Sequence, residues 1–231
     1  MRPKAYARAA VLTLTVLLGA ACTGPPDGPV ESVSGRNQTS TPLRRAALEA
    51  GDVPGYEISG DRSPDATRGA PSADRAACAP LAEVMGEAPD DRARATVSRG
   101  LGSRRTPGLA VSASLSAYSA PDAKHLITEL RAALARCGGE FTTVLDGRRA
   151  AYRDVRAVPY AVKGDESVGW TASALAAQGA PAPVHIVVVR QGATIVRFMA
   201  INLSGRAPAT VTVPHEVADR QLDKLARTVK G

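Results

Sequence analysis

Three histidines could act as a general base, the role that imidazole most often fills in hydrolytic sites. His125 falls on the polar side of a predicted helix, and His185 lies within a strand-forming run of β-branched residues. His215 begins His-Glu-Val-Ala-Asp, in which Asp219 stands where the HExxH zinc motif has its second histidine. We therefore expect no catalytic residue, metal ligand or cofactor. A surface hydrolase remains a less favoured alternative, and it would need a Ser or Asp beside one of these histidines.

The basic segment 91–107 contains five arginines, including the adjacent pair Arg104 and Arg105. Few aromatic residues accompany them, so the segment does not predict nucleic-acid binding. Lipid headgroups or wall polymers are the expected anions, and a solvated loop is the alternative. Trp170, the single tryptophan, either packs in the sheet or lines a pocket. Arg104, Arg105 and Trp170 are the candidate ligand-binding residues.

The N-terminus has the pattern of an export signal. Arg2, Lys4 and Arg8 precede an apolar run over residues 9–21, which at about 1.5 Å of rise per residue is too short to cross a bilayer as a helix. Leu-Gly-Ala-Ala-Cys, ending at Cys22, resembles the bacterial lipobox, although glycine stands where that motif usually has leucine. The resemblance implies cleavage before Cys22 and attachment of a membrane anchor to its thiol. A plain secretory signal is the alternative.

The other two cysteines, Cys78 and Cys137, form an even pair in a compartment where disulfides persist. Their spacing matches no CxxC redox motif, and two thiols cannot complete a zinc site. We expect a disulfide between them.

The remaining sequence divides into a stalk and one domain. Residues 22–41 are rich in Gly, Pro, Ser and Thr, which is typical of a flexible linker. Residues 42–231 form the predicted extracytoplasmic domain. Its predicted helices cover residues 43–50, a short segment from Pro80, residues 121–137 with an apolar stripe ending at Cys137, and residues 215–229.

Strands are predicted over residues 96–98, 109–118, 141–145, 150–158, 167–175, 184–190 and 194–202, the last two joined by a turn at Gln191-Gly192. Because turns join most of these strands, the expected fold is α+β, an antiparallel sheet with helices packed mainly on one face.

The order of short motifs resembles a family of actinobacterial surface lipoproteins similar to the extracellular sensor domain of PknH-type receptor kinases. The matching motifs are Val53-Pro54-Gly55-Tyr56, Cys78 before a short helix, Cys137-Gly138-Gly139 after a longer one, Gly164-Asp165-Glu166 before a strand, and Val187 to Ala193. The resemblance covers residues 42–231. It implies a twisted antiparallel sheet, a cleft for a ligand and no catalysis. The family carries two disulfides and an attached kinase, whereas this chain has cysteines for one bridge and no kinase.

The sequence therefore predicts a lipid-anchored, non-enzymatic, sensor-like protein on the outer face of the cell membrane. Its partners would be the membrane, through Cys22, and a cell-envelope ligand. An adaptor that docks on another surface protein is the alternative.

Overall fold

The computed structural model describes residues 40–60, 70–86, 91–176, 181–204 and 210–230, all within one compact unit. The predicted signal peptide, Cys22 and the stalk to residue 39 lie outside the described residues. No helix within the described ranges is long and apolar enough to cross a membrane.

Nine strands and four α-helices form the described fold. The strands are β1 (Tyr56–Ser59), β2 (Ser72–Ala73), β3 (Ala95–Ser103), β4 (Leu109–Ala117), β5 (Phe141–Leu145), β6 (Arg148–Ala157), β7 (Glu166–Ala176), β8 (Ala182–Gln191) and β9 (Thr194–Asn202). The helices are α1 (residues 40–46), α2 (Ala79–Met85), α3 (Ala120–Arg136) and α4 (His215–Lys230), with a 3₁₀ turn at Ala76–Cys78 before α2.

All nine strands belong to one antiparallel sheet in the order β1-β3-β4-β9-β8-β7-β6-β5-β2. Strands β5 to β9 form a continuous meander, and β9 then pairs with β4, from Leu109 opposite Asn202 to Ala117 opposite Thr194. This arrangement confirms the predicted α+β class and antiparallel sheet. The short strands β1 and β2, at the two edges, are absent from the sequence prediction because four and two residues are too few to show a period.

The helices pack on both faces of the sheet, which corrects the expectation that they lie mainly on one face. Helices α1 and α4 contribute to one apolar core, and α2 and α3 to a second core on the opposite face. The physical reason is in β8, where residues 184–189 are all buried. A strand that is apolar on both sides must be covered on both sides. Alternate residues of β8, such as Val187 and Val188, therefore enter different cores.

The two helix layers are offset along the sheet. The core beneath α1 and α4 takes sheet residues from β1, β3, β4, β9 and β8, and none from the described residues of β5, β6 or β7. The core beneath α2 and α3 takes its buried strand residues from β9, β8, β7 and β5, and partly buried residues of β6 and β2 pack against it. The face that carries α1 and α4 therefore has no apolar core over β5 to β7, and we call this region the open face.

Helix α3 follows the predicted pattern closely. The Ser119 hydroxyl accepts a hydrogen bond from Asp122 N at 3.2 Å, which caps the helix N-terminus, and Pro121 stands in the first turn. The apolar stripe is buried and ends at Cys137. The structure contains the predicted disulfide, with Cα atoms of Cys78 and Cys137 4.8 Å apart and both side chains fully buried. The bridge joins the start of α2 to the end of α3.

Helix α1 ends at residue 46, earlier than the predicted end at residue 50. The cause is a side chain from the other end of the chain. Gln221 of α4 is fully buried, and its amide donates to Ala46 O at 2.7 Å while its carbonyl accepts from Leu48 N at 3.1 Å. These bonds satisfy backbone groups that would otherwise be orphaned where the helix stops.

Strand β6 contains the main irregularity of the sheet. Its register to β7 shifts between Arg153 and Arg156, and Asp154 within this bulge has φ 53°. Because of the shift, Val155 N donates to Gly139 O at 3.0 Å instead of to a neighbouring strand. Aspartate tolerates positive φ better than most residues, which suits it to this position.

Candidate functional site

A cavity of about 280 Å³ opens on the open face, over strands β6, β7 and β8. We call it the β6–β8 cavity; its polar lining comes from Asp154, Arg156, Thr171, Ser173 and Thr210, and its apolar lining includes Pro183, Val184 and Val211. The register places Arg156 opposite Thr171, and Ser173 opposite Pro183. The sheet thus forms the floor, and the segment before α4 forms one wall.

The polar groups of the β6–β8 cavity are available to a ligand. Within the described residues, the hydroxyls of Thr171, Ser173 and Thr210 make no hydrogen bond to protein, and the side chains of Asp154 and Arg156 have no ion pair. A guanidinium binds carboxylate or phosphate with two parallel N–H groups. A carboxylate accepts hydrogen bonds from hydroxyls. The cavity therefore offers a site for one anionic group beside several hydroxyl contacts.

Buried hydrogen bonds fix the wall of the cavity. Val213 N donates to His185 Nδ1 at 2.9 Å, and the Tyr160 hydroxyl donates to Val213 O at 3.0 Å. The Tyr160 ring stacks on His215, the first residue of α4, with centroids 4.4 Å apart and planes within 6°. These contacts hold the chain from Val211 to α4 against the sheet.

His185, which accepts one of these hydrogen bonds, has an uncharged imidazole ring. It is 3% exposed, and burial, with a smaller contribution from the nearby His215, lowers its pKa to about 4. Because Nδ1 accepts a hydrogen bond, the proton of the neutral ring must be on Nε2, which is buried and has no partner among the described residues. Thr171, the cross-strand neighbour of His185, lines the cavity, so the histidine lies on the same face of the sheet, beside the cavity and beneath its wall.

Two other cavities are less suited to a ligand by themselves. The β5–β6 cavity, about 410 Å³, is lined by Asp74, Arg75, Glu140, Phe141, Thr142, Ala151, Tyr152 and Arg153. Asp74 in its lining already accepts a hydrogen bond from Thr142 N at 3.1 Å, and Glu140 lies 3.8 Å from Arg153 in a weak, exposed pair. The third, about 160 Å³ between α1 and α4, is lined mainly by apolar groups, including Leu43 and Leu225.

The three candidate ligand-binding residues lie apart from one another. Trp170 of β7 is 0% exposed and belongs to the core beneath α3, so it presents no surface to a ligand. Arg104 and Arg105 are exposed in the turn between β3 and β4. Strands β4, β9 and β8 separate that part of the sheet from β7. The structure therefore does not assemble a site from these residues.

The histidines are also separate from any serine or aspartate nucleophile. His125 Nε2 lies 3.1 Å from Glu129 on the exposed side of α3, and His185 and His215 make the contacts described above. No histidine in the described part of the chain is hydrogen-bonded to a serine or an aspartate. The described residues likewise contain no group of three His, Cys, Asp or Glu side chains that could hold a metal ion.

Sequence reasoning missed the cavity residues because strand register, not sequence spacing, brings them together. One signal was available: Thr171 and Ser173 alternate with apolar or small neighbours in β7, as expected of a strand with one solvated face. A second signal was the recurrence of arginine in β6, at Arg149, Arg153 and Arg156. The general abundance of arginine in the chain obscures it.

Two of the similar chains found among solved structures come from mycobacteria. The extracellular domain of PknH from Mycobacterium tuberculosis is 12% identical, with 80% of this chain and 94% of that chain covered and a TM-score of 0.47. A putative uncharacterized protein, the Rv0999 ortholog from Mycobacterium smegmatis, is 14% identical, with 77% and 90% covered and a TM-score of 0.41. No protein-family model matches the chain, and a search of curated proteins finds no match.

Proposed function

We propose that this chain is a lipid-anchored extracytoplasmic protein whose folded domain binds a ligand in the β6–β8 cavity without transforming it. The observation that carries the proposal is the convergence of three unengaged hydroxyls, a guanidinium and a carboxylate on one concavity. Binding sites place a few such groups to orient a ligand. At about 280 Å³ the cavity accommodates a small group, such as a single sugar ring, or one end of a longer molecule.

The chemistry of the cavity supports recognition rather than catalysis. Nucleophilic catalysis needs a hydroxyl or thiol beside an oriented base. Thr171 and Ser173 have no such base within hydrogen-bonding distance in the described structure, and the nearby His185 uses Nδ1 to accept a backbone hydrogen bond. The lipid anchor rests on the lipobox-like sequence that ends at Cys22.

An adaptor role has less support. Its expected sign is a continuous exposed apolar patch. Among the described residues, the large apolar side chains that are exposed are Val144 of β5, at 38%, and Leu203 after β9, at 69%. Strands β6, β7 and β8 lie between β5 and β9, so these two residues form no patch.

Native mass spectrometry of the full-length chain, extracted from its host membrane in a mild detergent, tests the proposal. We expect a retained small molecule on the wild-type protein. Ser173→Phe fills the cavity floor and should remove that mass. Thr128→Phe, on the exposed surface of α3, is the matched control and should retain it. Absence of any bound molecule from the wild type, or equal retention by both variants, would contradict binding in this cavity.

A further inference from the structure

The open face carries a row of arginines on strand β6. Alternation along the strand, together with the register shift at the bulge, places Arg149, Arg153 and Arg156 on the same face as Ser173 and Thr171 of β7. All three arginine side chains are exposed. Arg148, by contrast, shares the opposite face with Tyr152. We call Arg149, Arg153 and Arg156 the arginine row.

The row carries more positive charge than its neighbours neutralise. Arg149 and Arg156 have no ion pair within the described structure. Arg153 has one weak partner, Glu140 at 3.8 Å, and both side chains are more than 60% exposed, so solvent screens the pair. The row is therefore free to bind an anion without first breaking a strong protein contact.

The row also links two cavities. Arg156 lines the β6–β8 cavity, and Arg153 lines the β5–β6 cavity. At about 3.3 Å per strand residue, Arg149 and Arg153 are roughly 13 Å apart, and the whole row is roughly 20 Å long. One small anion cannot contact all three guanidinium groups over that length. A ligand with regularly spaced anionic groups can.

We infer that the ligand of the open face is an elongated anionic polymer, a chain of phosphodiester- or carboxylate-bearing units. One unit occupies the β6–β8 cavity and the following units lie along the arginine row. Arg156 binds the anionic group of the first unit, the hydroxyls of Thr171 and Ser173 contact its polar atoms, and Asp154 accepts from its hydroxyls. This inference rests on the proposed function and specifies the ligand class.

The composition of the open face favours such a polymer over a bilayer surface. Proteins that lie on membranes insert aromatic or large aliphatic side chains between the headgroups. The described residues on this face of β5, β6 and β7 include no aromatic side chain, because Phe141 and Tyr152 point to the opposite face, where they stack at 5.1 Å. Large aliphatic side chains do lie on this face, including Val144 and Leu175, but hydroxyl and guanidinium groups outnumber them.

The test measures binding of the full-length chain, held in zwitterionic detergent, to four probes: polyphosphate, polygalacturonate, inorganic phosphate and neutral dextran. We expect binding to one or both polyanions, with polyphosphate and polygalacturonate distinguishing phosphate from carboxylate units. Inorganic phosphate should bind far more weakly, and dextran not at all.

Two triple variants with the same change in net charge distinguish binding by the arginine row from binding by the overall positive charge of the chain. Arg149→Ala/Arg153→Ala/Arg156→Ala should weaken polyanion binding at least tenfold. It should also reduce the slope of log affinity against log salt by about two, because each lost contact no longer releases a polymer counterion. The control, Arg94→Ala/Arg136→Ala/Arg148→Ala, removes three exposed arginines from other places and should change affinity less than twofold.

Equal losses in the two triple variants, or no polyanion binding at low salt, would overturn the inference. Binding to vesicles of phosphatidylglycerol that depends on the row, without polymer binding, would overturn it in favour of a membrane surface. If instead a neutral molecule is retained in native mass spectrometry and lost in Ser173→Phe, the ligand class proposed here is wrong while the proposed binding function stands.

Discussion

The fully buried side-chain amide of Gln221 joins α4 to the end of α1. Replacing this side chain tests how much the contacts between the two ends of the domain stabilise the fold. Replacing it with leucine, which has a similar volume, removes both bonds to the chain at the end of α1. Leu48 N and Ala46 O are then left without these partners in the core. Each orphaned backbone group costs about 1–3 kcal/mol, and the greater hydrophobicity of leucine offsets about 1–2 kcal/mol of the total. We expect the free energy of unfolding to fall by about 2–4 kcal/mol.

Trp170 provides the assay, because it is the single tryptophan and is fully buried in β7. Urea unfolding of the full-length chain in a mild detergent, followed by the fluorescence of this residue, measures the free energy directly. Arg220→Leu, at the preceding residue, is the matched control. Its exposed pairing with Asp52, at 3.4 Å, contributes at most about 1 kcal/mol. If Gln221→Leu destabilises the protein no more than the control does, the bonds to α1 do not carry the energy assigned to them here.

Two further predictions concern His185 and Cys22. The pKa of His185 is lowered from 6.5 to about 4, so the unfolded chain binds a proton at a higher pH than the native protein does. The free energy of unfolding should therefore fall by up to about 3 kcal/mol between pH 6.5 and pH 4. Urea unfolding at each pH checks this, and His185→Gln should lose that part of the pH dependence whereas His125→Gln should keep it. Cys22→Ala should stop fatty-acid incorporation and release the protein from membranes or halt its maturation; equal membrane partitioning of mutant and wild type would refute the anchor.

Most elements of the fold could be predicted because their periods are clear. The strands at residues 141–145 and 194–202 have the predicted bounds, and α3 has the predicted buried stripe. The packing could not be predicted in the same way. The apolar run of β8 fits one buried face or two equally well, and only the offset of the helix layers reveals the open face.

The candidate site shows the same limit. Trp170 attracts attention as a single large aromatic residue, yet its size is what makes it a core residue, with 0% exposure. Thr171, its neighbour in sequence, points to the other side of the sheet and lines the β6–β8 cavity. Adjacent strand residues face opposite sides, so a prediction that is one residue away from the cavity selects the wrong face.

The pairing of β4 with β9 has a consequence for how the polypeptide assembles. It joins residues 109–117 to residues 194–202, so the centre of the sheet cannot form until most of the domain has been synthesised. The Cys78–Cys137 crosslink, in contrast, needs only the chain up to residue 137. In a chain that emerges with its N-terminus first, oxidation can tether α2 to α3 while β4 still lacks its neighbour β9. The covalent bond then holds the N-terminal half together during the interval in which its edge strand β4 is exposed to other chains.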